Sequence, residues 1–205
     1  MKQDIIDFLS ERNSIRNFDS HYIIPVQDIN KILSLASKAP SGNNTQPWKV
    51  VTIKNKELQK QLQSLAFNQK QLETASAIFI VFGDPYEYNI VHLIDYKIHN
   101  ENLSPERAAE FGSKMENFYE ISPTDKGAEG LKLDCGLFSM NLLYSIRAYE
   151  YDAVPMRGVN FDKLKELLKI PYSWIPILMI PFGKAIETGN QKTRKSIDKF
   201  SILIE

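Results

Sequence analysis

The chain has 205 residues, of which 43% are hydrophobic and 24% are charged, and its formal net charge is zero. A chain of this size can bury a substantial core, and without a visible linker we expect residues 1–205 to form a single domain. The charge balance argues against a nucleic-acid-binding surface, because such a surface needs a basic excess to neutralise backbone phosphates.

Near the start of the chain, a short helix predicted from Ile5 to Leu9 is followed by two arginines that flank a serine. Arg12 and Arg16 lie four residues apart, with Ser14 between them. Guanidinium groups suit phosphates and carbonyl oxygens because they donate hydrogen bonds in a fixed fork. The segment is a candidate anion-binding site, with a solvated surface as the alternative.

A second helix is predicted after Pro25, and a polar turn connects it to a strand from Trp48 to Ile53. Its apolar positions recur at helical spacing and predict one face packed on a sheet: Ile29, Ile32, Leu33 and Ala36. Pro40 and Pro47 stiffen the turn, so its polar groups are held ready for a ligand. These polar residues are Ser41, Asn43, Asn44 and Gln46. An ordinary helix-to-strand connection is the alternative.

Further strands and one long helix complete the predicted core. Strands are predicted at Val50 to Ile53, Ala77 to Phe82, and Ile177 to Ile180, with helical stretches between them, so we expect a helix-flanked sheet. Leu131 to Tyr149 is the longest apolar helix, and it should be buried on most sides, within one chain or between two. We expect Asp134 to cap or neutralise its start, and Cys135 to be buried in it.

A second basic cluster lies near the end of the chain. Lys192, Arg194 and Lys195 come just beyond Gly189 and Asn190, in a segment predicted to be irregular. Together with the first arginine pair and the polar turn, this cluster indicates a ligand with a phosphate at one end.

The sequence also favours a cytoplasmic protein. No apolar run approaches the length of a membrane span, and Lys2, Asp4 and Asp7 interrupt the segment where a signal peptide would need an apolar core. Cys135 is the only cysteine, so an intramolecular disulfide and dithiol chemistry are excluded.

The order of these motifs resembles the nitroreductase family of flavin-dependent oxidoreductases, from about Ile5 to Phe200. The basic–serine–basic opening of the family is similar to Arg12, Ser14 and Arg16. Its proline–serine loop is similar to Pro40, Ser41, Asn44, Gln46, Pro47 and Trp48. Its later motifs are similar to Asn68 in Asn68-Gln69-Lys70-Gln71, to Pro155-Met156-Arg157-Gly158, and to Lys192 with Arg194. The chain looks most like the small bacterial branch of nitroaromatic and quinone reductases, although Tyr86 to Leu131 matches weakly.

The resemblance implies an α+β fold of three layers, with a mainly antiparallel sheet flanked by helices. It also implies a homodimer built on the long central helices, with the flavin at the interface. The implied cofactor is FMN, and the implied electron donor is NADPH or NADH. The implied acceptors are nitroaromatics, quinones or related small molecules, reduced by a ping-pong hydride mechanism in which no side chain acts as a nucleophile.

The resemblance assigns roles at both ends of the flavin. Arg12, Lys192 and Arg194 would hold the phosphate, with shorter polar contacts from Asn13 and Ser14. Arg16 would face the pyrimidine edge, where a positive charge stabilises the reduced ring. The other implied cofactor contacts are Pro40, Ser41, Asn44, Gln46, Asn68, Gln71, Pro155 and Met156.

Two implied ring contacts depart from the family pattern. The backbone N–H of Arg157 would lie near flavin N5, and Gly158 would allow close backbone approach. The Arg157 side chain stands where many relatives carry an acidic or small residue, so it either attracts a nicotinamide nucleotide phosphate or faces solvent. Gln71 stands where some relatives carry a lysine, and its neutral amide predicts a lower reduction potential.

Two further patterns leave alternatives open. Phe111, Met115, Phe118 and Tyr119 lie at helical spacing and either line the acceptor pocket or pack in the core. His92 and His99 flank Asp95 on one predicted helix face, but a metal site would need another ligand, so we expect a solvated face and no metal.

Two other functions stay possible at this point. The fold and flavin could serve another reaction, such as dehalogenation or dehydrogenation, and acceptor profiling would separate these. The basic clusters could instead belong to a binding module that holds a phosphorylated ligand without redox turnover. Absence of bound flavin and of NAD(P)H oxidation would favour that module.

Overall fold

The computed structural model describes all residues, 1–205, as eight helices around one sheet. The helices are α1 (Lys2–Glu11), α2 (Val26–Ala36), α3 (Lys56–Ser64), α4 (Gln71–Thr74), α5 (Ile90–Asn100), α6 (Pro105–Ile121), α7 (Ala128–Ala148) and α8 (Phe161–Leu168). The strands are β1 (Trp48–Ile53), β2 (Ala77–Gly83), β3 (Asp152–Ala153) and β4 (Ile175–Gly183).

The sheet is antiparallel throughout, in the order β1-β2-β4-β3. Val50 pairs with Val81 across the first ladder, and Ile80 pairs with Met179 across the second. The three predicted strands are confirmed, and only the two-residue β3 was missed. A strand of two residues carries too little periodicity to be recognised in a sequence.

Strand β2 lies in the middle of the sheet and all seven of its residues are buried. Its side chains alternate between two cores, as the pleat of a strand requires. Phe79 and Val81 pack with residues of α2 and α7 on one face. Ile78 and Ile80 pack with residues of α3 and α8 on the other face. The predicted three-layer arrangement is therefore confirmed.

Helix α2 lies against α7 as its apolar spacing predicted. Ile29, Ile32 and Ala36 are buried, whereas Leu33 is only partly buried at the edge of the same core. The helix begins directly after Pro25, whose extended backbone leads into the first turn.

Helix α7 buries only one side within this chain. Phe138, Leu142 and Ile146 point into the core. On the opposite side, Leu133 is 64% exposed and Leu137 is 43% exposed. The expectation of burial on most sides is therefore not met by one chain alone.

Two neighbouring segments also expose apolar side chains. Helix α1 has no buried residue, and Ile5 and Leu9 lie on its surface. After β4 the chain contains only one single-turn helix, Ile197–Lys199, and ends with an exposed apolar run from 202 to 204. Separately, none of the helices combines the length and the apolar character that crossing a bilayer requires.

Candidate functional site

The two basic segments at opposite ends of the chain meet in the structure. The Lys192 ammonium donates to the backbone carbonyls of Ser10 and Arg12, the latter at 3.1 Å. Asn13 Nδ2 donates to the carbonyl of Asn190 at 3.1 Å. A groove of about 560 Å³ lies over this contact, and its lining includes Arg12, Lys192 and Arg194. These predicted phosphate ligands therefore share one surface, which we call the basic groove.

The Arg12 guanidinium lies in the basic groove without a partner from the chain. Its Nη1 atom is buried and makes no hydrogen bond. The neighbouring carboxylate, Glu11, pairs instead with Arg147, at 2.8 Å from Nη2. A buried donor that lacks an acceptor costs about 1–3 kcal/mol, and more when it is charged. The chain therefore supplies no acceptor to this guanidinium.

The predicted residues Ser14 and Arg16 lie beside the short strand β3. The N–H of Ile15 donates to the carbonyl of Ala153 at 3.2 Å, and this bond fixes the segment along the sheet edge. Arg16 is exposed, and its Nη1 atom contacts only the carbonyl of Ser14, at 3.4 Å. Its guanidinium therefore remains available to a ligand.

The predicted ring contacts also come together. Gln71 Nε2 lies 3.4 Å from the Met156 sulfur and 2.7 Å from Gln69 Oε1. Gln69 Nε2 in turn lies 3.5 Å from the carbonyl of Gly158. Asn68 lies between these glutamines and the preceding helix in a left-handed backbone conformation, with φ of 52°. The two predicted motifs around residues 68–71 and 155–158 thus form one surface.

The turn at residues 155–158 is anchored on one side and free on the other. Met156 exchanges two backbone hydrogen bonds with Met179, at 2.7 and 2.9 Å. The next N–H, that of Arg157, donates to no acceptor in the chain, and the Arg157 side chain is exposed. The same segment leads back through Ala153 to Ser14, so the basic groove and the ring-contact surface adjoin.

Phe67 was missed by the sequence-based predictions. Its side chain is 81% exposed, its φ is 55°, and its ring lies 3.8 Å from the position that a Cβ on Gly158 would take. A large aromatic side chain held in the open at such a backbone angle is unusual. The sequence signal was weak, because Phe67 sits outside any periodic pattern.

The polar turn from 40 to 46 is held by a buried carboxylate. Asp134 accepts from the Gly42 N–H at 3.0 Å, from the Tyr88 hydroxyl at 2.6 Å and from the Thr45 hydroxyl at 3.4 Å. Burial and the hydrogen bond to Asp134 raise the Tyr88 pKa far above its usual range.

The predicted capping role of Asp134 is wrong, since α7 begins at Ala128 and Asp134 lies in its second turn. Cys135, as predicted, is buried, and burial raises its pKa to about 12.

The turn takes an unusual path with its polar side chains outward. Asn43, Asn44 and Gln46 have φ of 52°, 60° and 47°. Ser41 Oγ accepts from the Gln46 N–H at 2.9 Å and thereby closes the turn. Asn44 and Gln46 reach helix α5 and the residue after it, where they contact Glu101 at 3.0 Å and the Tyr96 hydroxyl at 3.2 Å.

Within one chain, the polar turn and the basic groove contact different parts of helix α7. The turn contacts α7 at Asp134, whereas the basic groove is lined by Met140 and Tyr144. At 1.5 Å per residue, these two residues lie about 9 and 15 Å further along the helix. None of the turn residues lines the basic groove, so a single chain holds the two predicted halves of the site at separate places.

The structure shows the surroundings of the aromatic and apolar residues at 111–119 and of the two histidines, His92 and His99. Met115 and Tyr119 are buried in a small core, and Phe118 lies beside the polar turn, in a pocket of about 110 Å³. Burial, Asp134 and Asp125 raise the Tyr119 pKa to about 12. His92 pairs with Glu87 at 2.9 Å and His99 pairs with Asp95 at 3.2 Å, so the two histidines do not converge.

Comparisons with known proteins identify the family of this chain. The model of the nitroreductase family matches residues 9–184. The chain is 30% identical over 198 residues to YdgI of Bacillus subtilis (strain 168), which is named for NAD(P)H nitroreductase activity, and the match covers 95% of each protein.

Solved structures share the whole fold. A nitroreductase-like protein from Streptococcus mutans is 44% identical, with a TM-score of 0.97 over 100% of both chains. A protein from Exiguobacterium sibiricum 255-15, named as a nitroreductase and solved in complex with FMN, is 30% identical, with a TM-score of 0.87 over 97% of this chain and 96% of that one. The chain therefore belongs to the nitroreductase family.

Proposed function

We propose that this protein is an FMN-dependent oxidoreductase that uses NADPH or NADH to reduce nitroaromatics, quinones or related small acceptors. The observation that carries this function is the unpartnered Arg12 guanidinium in the basic groove. Membership of the nitroreductase family and the FMN-bound structure of a relative support flavin as the ligand.

The basic groove fits the phosphate end of FMN. Arg12 would donate from its guanidinium, and Lys192 and Arg194 line the same groove. Charge-assisted hydrogen bonds to a phosphate dianion would satisfy the guanidinium that the chain leaves without an acceptor. Asn13 and Ser14 would add shorter polar contacts.

The adjoining surface fits the flavin ring. The free Arg157 N–H would lie near flavin N5, and Gly158 leaves room for the ring because it has no side chain. Asn68, Gln71, Pro155 and Met156 would border the ring, and the exposed Arg16 guanidinium would face its pyrimidine edge. When bound, FMN accepts a hydride from the nicotinamide nucleotide and passes it to the acceptor.

We further propose that the site is completed by a second copy of the chain. Leu137 and Met140 form an exposed apolar strip on α7, in a groove that reaches Pro40 at one end and Tyr144 near the other. If two α7 helices pack antiparallel about a two-fold axis, the turn of one chain comes beside the basic groove of its partner. Pro40, Ser41, Asn44 and Gln46 would then contact the flavin held by the partner subunit. This arrangement would also cover the apolar face of α7.

The remaining chemistry needs no side-chain nucleophile. Cys135 is buried, and its raised pKa keeps the thiol protonated at neutral pH. The acceptor would stack near the exposed ring of Phe67, and Phe118 beside the polar turn is a second aromatic candidate. Because the nicotinamide nucleotide and the acceptor would use the same ring face, they should bind in turn, which gives ping-pong kinetics.

The proposal also includes the domain organisation of the chain and its location in the cell. Both hydrophobic cores draw on strands β2 and β4, which supports one FMN-binding domain over residues 1–205. A cytoplasmic enzyme without nucleic-acid or membrane partners agrees with the neutral net charge.

The absorption spectrum of the purified protein tests the function. We expect flavin bands that bleach under anaerobic NADPH or NADH and return when a quinone or a nitroaromatic compound is added. Initial rates at varied donor and acceptor concentrations should give parallel double-reciprocal lines. A protein that neither contains nor binds FMN would contradict the proposal, and bleaching without reoxidation by either acceptor would point to another flavin-dependent reaction.

A further inference from the structure

Two of the three amide side chains of the polar turn, those of Asn44 and Gln46, are tied to the α5 region through their nitrogen atoms. Asn44 Nδ2 donates to Oε1 of Glu101 at 3.0 Å. Gln46 Nε2 contacts the Tyr96 hydroxyl at 3.2 Å and the backbone carbonyl of Asn44 at 3.4 Å. A carboxylate and a backbone carbonyl can only accept hydrogen bonds, so the chemistry of these partners fixes both amide orientations.

The consequence is that each amide directs its oxygen away from its partner. Asn44 Oδ1 and Gln46 Oε1 accept no hydrogen bond from the chain, and neither is a buried orphan. Both oxygens are therefore available to an outside donor. The turn thus presents two acceptors, while the amide nitrogens of Asn44 and Gln46 are held on internal partners.

Glu101 is itself held in place by a neighbouring cation. Lys97 Nζ lies 3.0 Å from Glu101 Oε2 and 4.7 Å from the centre of the Phe111 ring. Lys97 is mostly buried. The hydrogen bond from Asn44 and the charge of Lys97 hold the Glu101 pKa below its usual range, so the carboxylate is ionised at neutral pH.

The backbone of the turn supports the same arrangement. Asn44 and Gln46 occupy the left-handed region at φ of 60° and 47°, which is unfavourable for a residue with a side chain and needs support from its surroundings. Contacts to Tyr96 and Glu101 provide that support. The α5 region therefore determines both the path of the turn and the polarity of its side chains.

We propose that Glu101 is a positioning residue that locks Asn44 as a hydrogen-bond acceptor, so that the turn recognises an N–H or O–H donor of the bound flavin. This inference rests on the proposed FMN site. Glu101 does not touch the flavin and acts through Asn44. Lys97 fixes the carboxylate, and the backbone carbonyl of Asn44 sets the matching orientation of Gln46.

The test is the dissociation constant of FMN for four forms of the dimer: wild type, Glu101→Gln, Asn44→Asp and the double variant. In Glu101→Gln the new amide can donate or accept, so Asn44 is free to turn, and we expect affinity to fall about five- to tenfold. Asn44→Asp places two carboxylates in contact, and we expect a loss at least as large.

The double variant reverses the direction of the hydrogen bond and restores its complementarity. The introduced glutamine amide donates to the introduced aspartate, which again offers an oxygen to the flavin, and the net charge equals that of the wild type. We expect its affinity to return to within about twofold of wild type.

The rescue separates positioning from a structural role. Glu110→Gln is the matched control, because Glu110 is exposed on α6 and makes no ion pair, and it should leave the dissociation constant unchanged. The proposal would be overturned if the double variant loses as much FMN affinity as the two single variants combined. Wild-type FMN affinity in Glu101→Gln would also overturn it. A wild-type dimer that binds no FMN would instead remove the proposed function, and the two failures are therefore distinguishable.

Discussion

Replacing Leu137 by aspartate is expected to convert the protein into a monomer that no longer retains FMN. Leu137 is 43% exposed in one chain and belongs to the apolar strip on α7. In a two-fold interface the substitution occurs twice, and each buried, unpaired carboxylate costs several kcal/mol. The monomer would keep the basic groove but lose the polar turn of the partner. We expect FMN affinity to fall by at least about 100-fold.

Analytical ultracentrifugation and an FMN titration measure the two effects on the same sample. The matched control is Leu167→Asp, since Leu167 is 38% exposed on α8, in the layer on the other face of the sheet. That variant should stay dimeric and bind FMN normally. A Leu137→Asp protein that remains a dimer would show that the strip on α7 is not the interface.

Arg12→Ala is expected to weaken FMN binding by about 10- to 100-fold while leaving the fold intact. A hydrogen bond to a charged group contributes about 1.5–3 kcal/mol, and each 1.4 kcal/mol corresponds to a factor of about ten in affinity. The guanidinium makes no hydrogen bond within the chain, so its removal breaks no internal contact of that kind. Fluorescence quenching on FMN titration measures the affinity, and thermal unfolding without FMN measures stability.

The control for this substitution is Arg107→Ala. Arg107 is exposed on α6 and pairs with no carboxylate, so the variant changes the net charge equally without touching the basic groove. Its FMN affinity should equal that of the wild type. Equal affinity in Arg12→Ala would instead remove Arg12 from the phosphate site.

The sequence predicted the layers of the fold because apolar periodicity reports burial directly. β2 reads as a continuous apolar run since both of its faces are covered, and α2 shows one apolar stripe since only one of its faces is. The apolar character of α7 was also visible. The sequence did not show which side of α7 is covered within the chain. Leu133 and Leu137 are apolar like the buried Phe138 and Leu142, so composition does not separate the exposed side from the buried one.

The parts of the candidate site that could be predicted are those whose charged or turn-forming residues are close together in the sequence. Arg12 with Ser14, and Lys192 with Arg194, were visible as clusters, and the structure places the cations of both in one groove. The role of Asp134 was not predictable, because a contact between residues separated by 92 positions leaves no local pattern. The same holds for Glu101, whose link to Asn44 spans 57 positions.

A mixed dimer tests most directly whether the flavin site is shared between subunits. One subunit carries Arg12→Ala and the other carries Asn44→Leu, with different affinity tags so that only mixed dimers are purified. If the turn of one chain serves the groove of its partner, one site carries both substitutions and the other carries neither. We predict one FMN bound per mixed dimer with wild-type affinity. A mixed dimer in which both sites are weakened, one by each substitution, would place both halves in the same chain and contradict the shared site.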